Sequence, residues 1–142
     1  MSNNIPDPLA HEIPIVESFY TIQGEGCHVG KPAYFIRTGG CDVGCHWCDV
    51  KASWEAKIHP IFSVSTLVKM ANRYPAKIVV ITGGEPLMYD LSLLTQQLKA
   101  SDKILTLKHQ AFIPLQDIGI GFAFPQKNLK ILEKSFTSVV MN

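Results

Sequence analysis

Cys41, Cys45 and Cys48 stand in a Cys-x3-Cys-x2-Cys spacing, and nothing else in the chain limits its fold and chemistry as tightly. Three of the four cysteines thus fall within eight residues. Three is an awkward number for the common uses of clustered thiols. A structural zinc site takes four protein ligands, and a disulfide framework takes an even count. Three thiolates suit a [4Fe–4S] cluster in which one iron lacks a protein ligand and stays open to a small molecule. Gly40 and Gly44 allow the turns that a loop wrapped around such a group needs. Read from the residues alone, two other uses stay open: a zinc loop completed by His46 or by the distant Cys27, or a set of reduced, buried thiols.

Composition narrows the setting. The chain has 142 residues, enough for one hydrophobic core, and its 46% hydrophobic and 18% charged content argues against disorder. Its 13 basic side chains nearly balance 12 acidic ones, so there is no long-range field for a polyanion and no direct nucleic-acid contact is expected. No apolar run is long enough to span a bilayer, so no membrane association is expected. The start, Met1 to Pro8, lacks the basic and apolar regions of a secretion signal. Clustered cysteines without such a signal fit a reducing, cytoplasmic setting.

The remaining chemistry is placed by the pattern of elements. Residues 13–22 are β-branched and aromatic and read as a strand or hairpin arm, followed by the turn Gln23-Gly24-Glu25-Gly26. Residues 33–38 read as a buried strand whose Arg37 must reach a carboxylate, a ligand or solvent. An irregular stretch after Cys48 leads to a helix over 63–73. There Val64, Leu67, Val68 and Ala71 share one face, and Ser63 or Ser65 caps the start. Residues 77–82 form a central strand that runs into Gly83-Gly84-Glu85-Pro86, the end of a strand at which α/β folds place ligand contacts. A second helix is expected from an Asp90 cap through Leu91, Leu94 and Leu98, then a strand at 103–107. Further on, a strand at 118–124, a helix at 128–135 and a strand at 136–141 are expected. Parallel strands alternating with helices give an α/β fold, the first half of a (β/α) barrel.

Three separated motifs coincide: Gln23-Gly24-Glu25-Gly26, the Cys41/Cys45/Cys48 loop, and Thr82-Gly83-Gly84-Glu85-Pro86. With Phe35-Ile36-Arg37 before the cysteines and Asp49 after them, residues 13–100 resemble the 7-carboxy-7-deazaguanine synthases. These are radical S-adenosylmethionine (SAM) lyases of queuosine biosynthesis, a tRNA modification pathway. The resemblance implies a partial (β/α) barrel of the radical SAM type, shortened at the C-terminus. It is taken as a single domain over 1–142, of which 101–142 is divergent or truncated. It further implies that Cys41, Cys45 and Cys48 hold a [4Fe–4S] cluster. SAM would chelate the open iron and lie along Trp47, Cys48 and Asp49, with Gly84 at its methionyl end. Ile22, Gln23, Gly24, Arg37 and Thr82 match positions that hold the pterin substrate. Reductive cleavage of SAM would give a 5′-deoxyadenosyl radical that takes a hydrogen atom from 6-carboxy-5,6,7,8-tetrahydropterin. Ring contraction and loss of ammonia would then give 7-carboxy-7-deazaguanine, with no side-chain general base required. A one-electron donor such as flavodoxin or ferredoxin and a homodimer are also implied.

Two departures stand against the resemblance. The family carries Thr, a Mg²⁺ ligand, where this chain has Val50, so Mg²⁺ would need another oxygen such as that of Asp49. The family's Ser-Pro-Lys contact to SAM has only Phe124-Pro125-Gln126-Lys127 as a counterpart. Two other functions share the cysteine spacing: a glycyl-radical activating enzyme, against which Gln23-Gly24-Glu25-Gly26 and Arg37 argue, and an inactive iron–sulfur or zinc module. Cys27 is expected to be a buried small residue, Trp54 to pack behind the loop, and His46 to face either the cluster edge or solvent. His11, His28, His59 and His109 show no ligand spacing.

Overall fold

A computed structural model describes residues 11–109 and 137–141. The strand expected at 118–124 and the helix at 128–135 lie outside the described residues. Among the described residues, six strands form one sheet in the order β3-β1-β2-β4-β5-β6. They are β1 (Glu12–Ile22), β2 (Pro32–Thr38), β3 (Ile61–Ser63), β4 (Ile78–Gly83), β5 (Ile104–His109) and β6 (Thr137–Met141). The α-helices among the described residues are α1 (Val64–Asn72) and α2 (Ser92–Ala100). β2, β4 and β5 run parallel, connected through α1 and α2, as the alternation of strand and helix signals requires. β1 pairs antiparallel with β2, and β6 pairs antiparallel with β5. The result is an α/β partial barrel.

Period-3.6 apolar spacing gives α1 one buried stripe, Val64, Leu67 and Ala71, and the Ser63 hydroxyl caps it by accepting from the Thr66 N–H at 3.3 Å. α2 contributes Leu94 and Leu98, with Leu91 buried just before it. Asp90 does not occupy the N-cap position expected of it. The helix begins one residue later, and the Asp90 carboxylate accepts the Ser92 N–H at 2.9 Å. Against these helices the sheet presents Tyr34, Ile36, Val79, Ile81, Leu105 and Leu107, closing the main core. Each fully buried aliphatic side chain of this kind stabilises the fold by about 1.5–3 kcal/mol. The opposite face carries a smaller cluster of Ala33, Phe35, Ile78 and Val80 with Phe19 against it, and this face looks into the barrel.

β1 changes faces part of the way along. Ile15 lies opposite Thr38 whereas Glu17 lies opposite Arg37, so Val16 is an extra residue in the ladder. Before this bulge Ile13 and Ile15 enter the helix-side core; after it Glu17 and Phe19 lie on the barrel side. β3 escaped the sequence reading because three residues carry too little periodicity. It is held by pairing with the start of β1.

Candidate functional site

Two parallel strands end side by side and deliver the residues of one cavity. Arg37 and Thr38 of β2 lie in register with Thr82 and Gly83 of β4. β2 then feeds the cysteine loop and β4 the Gly-Gly-Glu turn, so the two motifs meet because their strands are neighbours. The contact is direct. The Gly84 N–H donates to the Thr38 carbonyl at 3.1 Å, and the Glu85 N–H donates to the Gly40 carbonyl at 2.9 Å. A Cβ on Gly84 would stand 2.1 Å from the Gly40 oxygen and 2.9 Å from the Cys41 Cβ, so only glycine allows this approach. Gly40 adopts a φ of +97°, and a Cβ there would meet the Tyr89 hydroxyl at 2.6 Å.

The loop is anchored at both ends. Gly39 N–H donates to Pro14 O at 2.8 Å, and Tyr89 Oη donates to Gly39 O at 2.6 Å. Gly40 N–H donates to Ser53 O at 2.6 Å, and Cys41 N–H to Trp54 O at 3.2 Å. Burial raises the Tyr89 phenol above the ordinary tyrosine range, which keeps it a hydrogen-bond donor. Inside the loop the Cys48 N–H closes a turn on Cys45 O at 3.0 Å.

The cavity encloses about 310 Å³. Cys41, Cys45 and Cys48 line it, all three unbridged and half-buried, together with Asp49, Val50 and Trp54 from the loop's far side. Arg37, Thr82, Gly84 and Glu85 form the strand-end wall, and Phe19 and Phe35 form an apolar wall with stacked rings 5.3 Å apart. At the rim Lys108 pairs with Glu25 and lies 5.7 Å from the centre of the Phe35 ring. Seven residues singled out in the sequence therefore share one cavity: Arg37, Cys41, Cys45, Cys48, Asp49, Thr82 and Gly84.

Four others do not line it. Trp47 is 58% exposed, with its ring edge-on to His46 at 4.4 Å. Ile22 is 56% exposed beyond the face switch of β1, and Gly24 is exposed in the hairpin loop. Gln23 is buried, and its backbone closes that loop through Lys31 O and Gly30 N–H, both at 2.8 Å. Cys27, expected to be buried, is exposed because it sits in a single helical turn (Gly26–His28) of the same loop.

Sequence reasoning missed Phe19, Lys108 and Glu85 as cavity-lining residues, and Glu17 as the partner of Arg37. Glu85 was legible from its place in the glycine turn; its carboxylate is buried and accepts the Leu87 N–H at 3.1 Å. Glu17 was not legible, because strict strand alternation puts it on the core face and only the bulge brings it to the barrel side. There its carboxylate accepts the Arg37 Nε–H at 2.8 Å.

The donor set fits an iron–sulfur cluster. Among the described residues no three His, Cys, Asp or Glu side chains close on a single metal position. Thiolates of a cluster each take a different iron, so three around a shared cavity satisfy it without converging. Trp54, in the same wall, keeps its indole N–H buried without a hydrogen-bond partner. Among the described residues no helix is long and apolar enough to cross a membrane.

Known proteins resemble this chain in sequence and in fold. The chain is 50% identical over 117 residues to a 7-carboxy-7-deazaguanine synthase of Flavobacterium psychrophilum, covering 82% of this chain and 55% of that protein. It is 46% identical to the enzyme of the same name from Synechocystis sp., covering 78% of this chain and 53% of the relative. Among solved structures, the crystal structure of QueE from Escherichia coli superposes with a TM-score of 0.60 at 40% identity, over 66% of this chain and 51% of that one. The chain spans about half the length of the curated relatives it matches. The model of the radical SAM superfamily matches residues 35–134, a span that contains both the cysteine loop and the Gly-Gly-Glu turn, and the chain belongs to that superfamily.

Proposed function

We propose that this chain carries the cofactor and substrate core of a carbon–nitrogen lyase, turning 6-carboxy-5,6,7,8-tetrahydropterin into 7-carboxy-7-deazaguanine with loss of ammonia. One observation carries the reading: three free thiols, an arginine and two glycine-rich strand ends face a single cavity. Similarity to proteins named 7-carboxy-7-deazaguanine synthase supports it.

In this reading Cys41, Cys45 and Cys48 hold a [4Fe–4S] cluster, with Asp49 and Gly84 beside bound SAM. Cluster and SAM together supply a one-electron route to a hydrogen-abstracting radical. The chain's own residues bind, orient and shield. Gly84 lets the β4 turn approach the loop, so the cofactor-binding backbone is fixed before any ligand arrives. Arg37 offers a planar, permanently charged fork to the pterin carboxylate, and the Thr82 hydroxyl stands next to it in register. The Phe19–Phe35 wall supplies an apolar surface for a flat heterocycle and keeps water from the reacting carbon. Ile22, Gln23 and Gly24 act through the hairpin loop that carries Glu25 to the rim, and Trp47 sits at the outer edge of the cofactor site. Val50 lines the cavity without a side-chain oxygen to offer, so a Mg²⁺ ion bound with the substrate would take Asp49 or substrate oxygens. In this reading the enzyme works in the cytoplasm, as a homodimer and with an external one-electron donor.

The test is an anaerobic turnover assay. Protein reconstituted with iron and sulfide, reduced and given SAM and 6-carboxytetrahydropterin should release 7-carboxy-7-deazaguanine. Arg37→Ala should raise KM for the pterin by ~10- to 100-fold, the range for loss of a charge-assisted contact. Wild-type protein that holds cluster and SAM yet gives no deazapurine would overturn the substrate assignment.

A further inference from the structure

We infer that Glu17 is a positioning residue, placed by the Val16 bulge to set the arginine fork that reads the substrate carboxylate. The inference rests on the reading that Arg37 takes that carboxylate.

The geometry is specific. Glu17 and Arg37 are cross-strand partners on the barrel face of the β1–β2 ladder, and Glu17 Oε1 accepts from Arg37 Nε at 2.8 Å. Among the described residues this is the ion pair that Arg37 makes, and it engages Nε alone. A guanidinium has five N–H donors in a rigid plane. Holding Nε from one side leaves the two terminal nitrogens as an end-on fork, the edge that pairs with a carboxylate through two parallel bonds. The Arg37 side chain is 22% exposed and that of Glu17 is 50%, so the arginine lies deeper toward the cavity and the acid braces it from the solvent side.

The bulge supports the same conclusion. Without Val16 as an extra residue, Glu17 would follow Ile13 and Ile15 onto the helix-side face, where an unpaired carboxylate is costly. The irregularity instead re-aims one acid at one arginine of the site, the use to which bulges beside active sites are put. A loose arginine would lose rotamer freedom on binding its ligand, and fixing it beforehand reduces that loss.

The experiment compares binding of two probes to the reconstituted, unreduced full chain: 6-carboxytetrahydropterin and tetrahydropterin without the carboxyl. Cluster absorbance and thermal denaturation verify that each variant is folded. Glu17→Ala is expected to weaken the carboxylated probe about tenfold while leaving the other unchanged, the scale of one charge-assisted contact. Glu17→Gln, whose amide oxygen can still accept from Nε, should fall between Glu17→Ala and wild type. Glu17→Ala that binds both probes like wild type, or weakens both equally, would overturn the positioning role. A carboxyl preference that survives Arg37→Ala, or is missing from wild type, would instead overturn the underlying assignment of Arg37.

Discussion

Replacing Gly84 by alanine adds a single methyl group, and the structure sets what it must displace. The new Cβ would lie 2.1 Å from the Gly40 oxygen, 2.7 Å from the Gly40 carbonyl carbon and 2.9 Å from the Cys41 Cβ. Two of these neighbours are backbone, so no side chain can rotate aside. Either the β4 turn or the start of the cysteine loop must move by about an ångström, the shortfall from ordinary van der Waals contact. Overpacking of this kind costs about 1–3 kcal/mol, and the shift also endangers the Glu85-to-Gly40 hydrogen bond, worth about 1 kcal/mol. Together these give ~2–4 kcal/mol, or a fall in Tm of about 10 °C for a domain of this size. Cys41 moves with Gly40, so iron retained after anaerobic reconstitution should also drop. Gly24→Ala is the control: a Cβ there meets nothing within 4 Å, and neither Tm nor iron content should change. The assay is thermal denaturation with iron analysis of both variants. Gly84→Ala with wild-type Tm and iron content would refute the claim that close approach of the two strand-end turns builds the site.

Tyr89→Phe removes the donor to the Gly39 carbonyl at the loop's entrance and should cost about 1–2 kcal/mol in denaturant unfolding. The same residue predicts an alkaline response. Its folded pKa is raised by burial, so its contribution is full below the ordinary tyrosine value and is lost as pH rises through the higher folded value. Tyr89→Phe should therefore lose that part of the alkaline fall in stability, as read from Tm against pH. Leu98→Ala, at a fully buried position of the main core, should cost about 2–5 kcal/mol by denaturant unfolding. Val50→Thr puts a hydroxyl on the cavity wall and is expected to increase the response of turnover to added Mg²⁺, measured as rate against metal concentration.

How much of this was legible in the sequence depended on the range of the signal. The apolar stripe of α1, the run 77–82 and the alternation of strand and helix are local patterns, and the parallel β2-β4-β5 core follows from them. The cysteine loop and the glycine turn could be read as parts of one site because both follow parallel strands. What failed was information held between elements. β3 exists only through its partner, and the Val16 bulge depends on the register of two strands. Cys27 looked like a core residue until its hairpin loop placed it in solvent. Ile22, Gln23, Gly24 and Trp47, which the resemblance groups with the site, are not among the residues that line the cavity. Lys108 gave no local signal either: it enters because β5 neighbours β4 and because Glu25 reaches it across the rim.

The central claim is that the cavity holds a cluster with one iron open to SAM. The most direct measurement is low-temperature electron paramagnetic resonance of the anaerobically reconstituted, reduced chain, recorded with and without SAM. A reduced [4Fe–4S] signal that shifts on SAM addition, and that is absent from Cys45→Ala, is the expected result. A protein that takes up zinc and no iron, or a cluster signal indifferent to SAM, would contradict it.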